Sequence, residues 1–223
     1  MTGIKPSVRI FTLSALVLLG LGLWQQIFAV GPLKITEEIY RRILSTYGSE
    51  ASQRVVEWEE LLKDVNRLDE DDKLYEINRF FNAIPYYDDS VHWKQDDYWA
   101  TPIEMLATNG GDCEDYTIAK YFSLRALGVP EEKMRMMYVK ALDYNQAHMV
   151  LAYYSSPNAV PVILDNINPR IWPASRRQDL RPVYSFNGEG LWLAKAQGRG
   201  KQLGTATRHK LWEDLTTRIE RGF

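Results

Sequence analysis

The apolar periodicity of this chain changes near Pro130, and that change limits the folds open to it. Before Pro130 the apolar residues recur at helical spacing; after it they alternate as in half-buried strands. Thr36 can cap a first helix carrying Ile39, Tyr40, Ile43 and Leu44 on one face, closed by Tyr47-Gly48. A second begins at Ser49 with Val55, Val56, Trp58, Leu61 and Leu62. A third begins near Asp69 with Leu74, Ile77, Phe80, Phe81 and Ile84, and stops at Pro85. Residues 86–100 hold neither period and read as an ordered loop rich in aromatics and paired aspartates. Thr101-Pro102 opens a short helix to Ala107, and a central helix runs from Asp112 to Leu127, ended by Gly128 and Pro130. Strands are expected over 134–142, 147–154, 160–164, 183–186 and 191–194. Surface follows over 198–209, then an amphipathic helix over 210–221. Helices followed by a meandering antiparallel sheet make an α+β arrangement.

The formal net charge is −2 and no basic stripe stands out, which argues against a nucleic-acid partner. Residues 1–29 stand apart: Lys5 and Arg9 precede the apolar run from Ile10 to Trp24, and Ala29 offers a small residue for cleavage. This is the layout of an export signal. The apolar run is short for a spanning helix, but Ile27 is large for the minus-three position, so an uncleaved membrane anchor is the alternative. Residues 30–223 then form one domain. The single cysteine excludes an internal disulfide framework.

That cysteine, Cys113, follows Gly110-Gly111, where the chain can turn sharply before the central helix. A helix start favours an anion, which would ease ionisation of the thiol, but Asp112, Glu114 and Asp115 surround it with like charge. A bound hard cation would offset them, and oxygen donors suit calcium. Alternatively, the acids simply favour the first turn of a helix. His148 on the second strand and Asp165 at the end of the third complete a possible Cys, His, Asp arrangement for acyl transfer, if adjacent strands pair beside the helix. Taken alone, His148 could be a core histidine and Asp165 a turn former. His92 and His209 have no partner at metal-ligand spacing and read as structural or solvated.

G-G-D-C-E-D-Y-T-I-A-K-Y at 110–121, D-Y-W-A-T-P-I-E at 97–104, H-M-V-L at 148–151 and I-L-D-N at 163–166 together resemble the bacterial transglutaminase-like cysteine proteinases of the LapG type. The resemblance implies a papain/transglutaminase-like core in which the cysteine-bearing helix packs on the antiparallel sheet. It implies Cys113, His148 and Asp165 as a catalytic triad and a Ca2+ site that includes Asp112 and Glu114, with Asp115 a further candidate ligand. It also implies a periplasmic endopeptidase that cuts a large repeat adhesin near its N-terminal end, typically beside a pair of alanines, so that the adhesin is released and biofilm disperses. An inner-membrane receptor for cyclic di-GMP would hold it inactive. Two other outcomes remain open on the residues alone: an acyl transferase using the same triad, and a non-catalytic domain that binds calcium and a partner.

Overall fold

The computed structural model describes residues 35–193, 200–204 and 210–222. The export signal or anchor expected over residues 1–29, and His209, lie outside them.

Helices α1 (Glu37–Tyr47), α2 (Ser49–Val65) and α3 (Glu70–Phe81) begin at the expected signals, but α3 ends at Phe81, short of the expected stop at Pro85. Thr36 Oγ1 accepts from the Ile39 amide and Asp69 Oδ1 from that of Asp72, each satisfying a first-turn N–H with no helical acceptor. The expected face of α1 is only half used: Ile39 and Ile43 are buried, but Leu44 is 51% exposed. Inside 86–100, a single turn of helix, α4 (Asp89–His92), interrupts what the sequence presents as loop. α5 (Pro102–Thr108) opens with a reciprocal cap, the Glu104 amide donating to Thr101 Oγ1 and the Thr101 amide to Glu104 Oε2.

α6 (Cys113–Ala126) is the central element, with every residue from Asp115 to Leu124 buried. A helix enclosed on all sides shows no polar stripe, and its polar side chains need internal partners. Ser123 Oγ accepts from Trp58 Nε1 at 2.9 Å, and Lys120 Nζ donates to Asn82 Oδ1 at 2.7 Å. Gly128 follows the helix at φ +79°, a left-handed conformation that favours glycine.

The sheet contains β1 (Met134–Ala141), β2 (Gln146–Tyr153), β3 (Val162–Leu164), β4 (Trp172–Pro173), β5 (Leu180–Asn187), β6 (Gly190–Leu193) and β7 (Gln202–Gly204), all pairing antiparallel. Its order, β4-β3-β2-β1-β5-β6-β7, corrects the expected meander. The chain runs outward from β1 to β4, returns, and lays β5 on the other side of β1. β3 starts after Pro161, which has no amide to donate to a ladder. Alternation along β2 sends Met149, Leu151 and Tyr153 into the main core, and Val150 and Ala152 into a smaller cluster with Met137, Val139 and Ile163. α7 (Lys210–Glu220) closes the core with Trp212, Leu215 and Ile219. Arg218 anchors it, donating to Glu104 Oε2 and, at 2.6 Å, to the Trp99 carbonyl. Among the described residues no helix is long and apolar enough to cross a membrane.

Candidate active site

The glycine pair before α6 serves close approach, not the sharp turn expected of it. The left-handed residue is Asn109, at φ 54° and ψ 48°, whereas neither Gly110 nor Gly111 has positive φ. A Cβ on Gly111 would lie 2.5 Å from Asp115 Oδ2, and one on Gly110 2.5 Å from the Tyr87 ring. Gly111 also bridges to Tyr86, and its carbonyl accepts from the Tyr87 amide at 3.0 Å, so the 86–100 segment is fastened against the start of α6. Gly111→Ala is therefore expected to destabilise the protein by about 1–3 kcal/mol through overpacking. Thermal unfolding of the purified variant checks this, and an unchanged melting temperature would count against the close contact.

The acids around Cys113 do different jobs. Asp112 caps α6, its Oδ1 accepting from the Glu114 amide at 3.2 Å. Asp115 is fully buried with both oxygens engaged: Oδ1 by the Ala100 amide at 2.7 Å, Oδ2 by the Asp112 amide at 3.3 Å and Trp93 Nε1 at 3.4 Å. A fourth carboxylate, Asp89 from α4, joins them. Its Oδ2 accepts from the Tyr98 amide at 2.5 Å, but its buried Oδ1 has no hydrogen-bond partner. Oxygens of Asp89, Asp112 and Asp115 lie within 4.8 Å of one another, as do the ligating atoms of Asp112, Cys113 and Glu114. Among the described residues no lysine or arginine forms an ion pair with any of these four acids. Burial, then the charges of Glu114, Asp115 and Asp89, push Asp112 up to about 10; burial pushes Asp89 to about 6 and Asp115 well above the usual carboxylate range. Converging hard oxygens, one of them orphaned and none neutralised by a base, fit a divalent cation of the calcium type.

Nothing in the spacing of the sequence distinguishes Asp89 from Asp88, Asp96 or Asp97. The only signal is an aspartate pair in an aromatic-rich segment just before a helix that starts with acids. His92, expected to be structural, is so: its Nε2 meets Thr108 Oγ1 at 2.8 Å and its ring stacks on Tyr87.

The half-buried thiol of Cys113 donates to Glu114 Oε2 at 2.7 Å. Burial, then Glu114 and Asp112, raise its pKa well above the ordinary thiol value. The helix dipole supplies about 0.3–1 kcal/mol in favour of a thiolate. A carboxylate at this separation opposes it by several kcal/mol at an effective dielectric of about 20. The acids win, and the thiol is neutral in this arrangement.

His148 and Asp165 meet as the sequence predicts, Nε2 to Oδ1 at 2.8 Å, both 1% exposed. Asp165 is held down at about 2 despite its burial, by hydrogen bonds and charge from His148 and Arg177 and by the Ile167 amide. Nε2 thus donates to an ionised carboxylate, leaving Nδ1 as the nitrogen able to accept a proton. Thr117 Oγ1 ties the start of α6 to β2, donating to the Cys113 carbonyl at 2.9 Å and the Met149 carbonyl at 3.1 Å. The residue that follows His148 is thereby held beside the first residue of α6. No hydrogen bond joins sulfur and imidazole here; the thiol is turned to Glu114 and the imidazole to Asp165. Arg177, not foreseen from sequence, completes the buried end: its Nη2 donates to Asp165 Oδ2 at 2.6 Å.

Helices enclosing a half-buried thiol at a helix start, beside paired strands whose histidine and aspartate meet, define the class of papain- and transglutaminase-like folds. A family model described as bacterial transglutaminase-like cysteine proteinase matches residues 48–180. LapG of Legionella pneumophila, in its EGTA-treated form, is 41% identical, with a TM-score of 0.74 over 84% of this chain and 99% of that one. The calcium-bound form of the same protein is 40% identical, with a TM-score of 0.71 over 83% of this chain and 99% of that one. No curated protein sequence matches the chain. The chain belongs to the bacterial transglutaminase-like cysteine proteinases.

Proposed function

We propose that this protein is a calcium-dependent endopeptidase of the periplasm that cuts a large repeat adhesin near its N-terminus, with Cys113 as nucleophile, His148 as proton carrier and Asp165 as its orienting carboxylate. The observation that carries this reading is the buried His148–Asp165 pair at 2.8 Å, one residue from Met149, whose carbonyl Thr117 ties to the carbonyl of Cys113. Nδ1 of His148 takes the thiol proton as sulfur attacks the scissile carbonyl, then returns it to the departing amine. The resulting thioester is hydrolysed by water, with the imidazole again taking and returning the proton. Asp165 keeps Nε2 protonated throughout, which fixes the tautomer. The Cys113 amide, first in α6 and without a helical acceptor, is a natural donor to the developing oxyanion.

The calcium-bound and EGTA-treated forms of the Legionella protein support assigning the cation here as calcium. Asp112, Glu114 and Asp89 would hold it, and Asp115, with both oxygens engaged, braces the loop behind them. A bound calcium ion supplies positive charge that quiets these carboxylates. Glu114, once used as a ligand, no longer accepts the thiol proton, and the sulfur is able to turn toward His148. Control by an inner-membrane cyclic di-GMP receptor belongs to the same proposal, on the strength of the family resemblance.

The test is mass spectrometry of a peptide centred on an Ala-Ala pair, incubated with the protein in calcium. Two hydrolysed fragments are expected, and none with the Cys113→Ala variant. An amine crosslink in place of fragments would move the protein to acyl transfer, and no covalent change in the peptide would overturn the reading.

A further inference from the structure

Arg177 is 3% exposed and lies behind Asp165. Among the described residues its side-chain hydrogen bonds go to two carboxylates. Nη2 reaches Asp165 Oδ2 at 2.6 Å and Asp179 Oδ2 at 2.7 Å, while Nε reaches Asp179 Oδ1 at 3.0 Å. Asp179 is partly exposed and two residues along the chain, so it orients the guanidinium from the solvent side. The main chain of Asp165 is pinned separately: its carbonyl accepts from Asn82 Nδ2 at 2.8 Å, and Asn82 Oδ1 accepts from the buried Lys120 Nζ. The Ile167 amide donates to Oδ1, the oxygen that also receives His148 Nε2. Among the described residues, Oδ2 has Arg177 alone. Without that contact the carboxylate could rotate about its last side-chain bond and lose the alignment that holds the imidazole.

We infer that Arg177 is a positioning residue of the active site, acting through Asp165 to set the orientation of the His148 ring, with Asp179 as the strut that aims it. This rests on the catalytic reading of Cys113, His148 and Asp165. A fixed guanidinium is suited to the task because its planar fork spans two carboxylates at once and stays charged when buried. A lysine would restore the charge without the fork.

The experiment compares kcat and KM for the Ala-Ala peptide in calcium across Arg177→Met, Arg177→Lys and Asp179→Asn, each also in an Asp165→Asn background. Arg177→Met is expected to lower kcat about 10- to 100-fold with KM within about twofold, the usual scale for losing a group that orients a reacting one. Arg177→Lys should recover part of the loss, and Asp179→Asn should cost less than Arg177→Met. In the Asp165→Asn background, Arg177→Met should add less than about twofold, because its effect passes through the missing carboxylate. A second readout is independent of turnover: the low-field proton resonance of His148 Nε2–H, assigned by its absence in His148→Gln, should shift upfield or broaden in Arg177→Met. Should Arg177→Met fail to fold, Arg177→Lys and Asp179→Asn carry both readouts. Equal kcat losses in the two backgrounds, or an unmoved resonance, overturn the assignment of Arg177. If Asp165→Asn itself leaves kcat unchanged, it is the catalytic reading that falls, while the resonance still tests whether Arg177 orients the ring.

Discussion

Cys113→Ala is expected to abolish peptide cleavage, with a fall in kcat of about 10⁴- to 10⁶-fold, the range seen when the nucleophile of a catalytic unit is removed. His148→Ala should fall by a similar factor, and the double variant by hardly more, because the two groups act in one step. The melting temperature of Cys113→Ala should stay close to that of the unsubstituted protein. The thiol is half-buried, and its hydrogen bond to Glu114 is one of several contacts holding the start of α6. Cleavage at an undiminished rate by the alanine variant would remove Cys113 from the chemistry altogether.

Removing calcium is expected to have the second-largest effect, and its pH dependence has a definite sign. Asp112 and Asp89 are raised to about 10 and about 6 in the ion-free arrangement, above ordinary carboxylates. The folded state then binds more protons than the unfolded chain from about pH 4 upward, so ion-free stability falls as pH rises through that window. Calcium bound among them would drive those protons off and relieve the repulsion. EGTA should therefore lower the melting temperature more at pH 8 than at pH 5.5. At calcium concentrations of about 100 times Kd the linkage is worth about 2.7 kcal/mol, or about 5–10 °C for a chain of this size. Peptide cleavage should fall at least about 100-fold in the same chelator. Differential scanning calorimetry at the two pH values provides the check, and an equal EGTA effect at both would count against a cation among these carboxylates.

How much of this could be read from the sequence depended on how local each signal was. The start of α6 was legible because glycines, a lone cysteine and acids next to an apolar helix form one continuous stretch. His148 and Asp165 were legible as a pair because β2 and β3 follow each other and pair directly, Leu151 with Leu164. Asp89 was not, because its role comes from α4 folding back on the helix start, a contact between residues with no shared periodicity. Arg177 was hidden for a related reason: a basic residue in R-R-Q-D looks solvated until the return from β4 to β5 carries it behind Asp165. β4 and β7 are two and three residues long, too short to show alternation. The glycine pair illustrates a third kind of miss, where the residue type was right and the reason was packing against Asp115 and Tyr87, not a backbone turn.

The sequence holds one sulfhydryl, and the fold places it with no second thiol to answer it. An oxidised sulfur at that position would have no internal resolving partner to trap a sulfenic acid as a disulfide, so rescue would fall to an outside reductant before the damage became permanent. The protonated arrangement facing Glu114 is the chemically quiet one, since oxidants attack the thiolate. Scarcity of the cation would thus shelter the protein from peroxide while switching it off. The loaded form would carry the exposure to oxidative loss that comes with readiness to react.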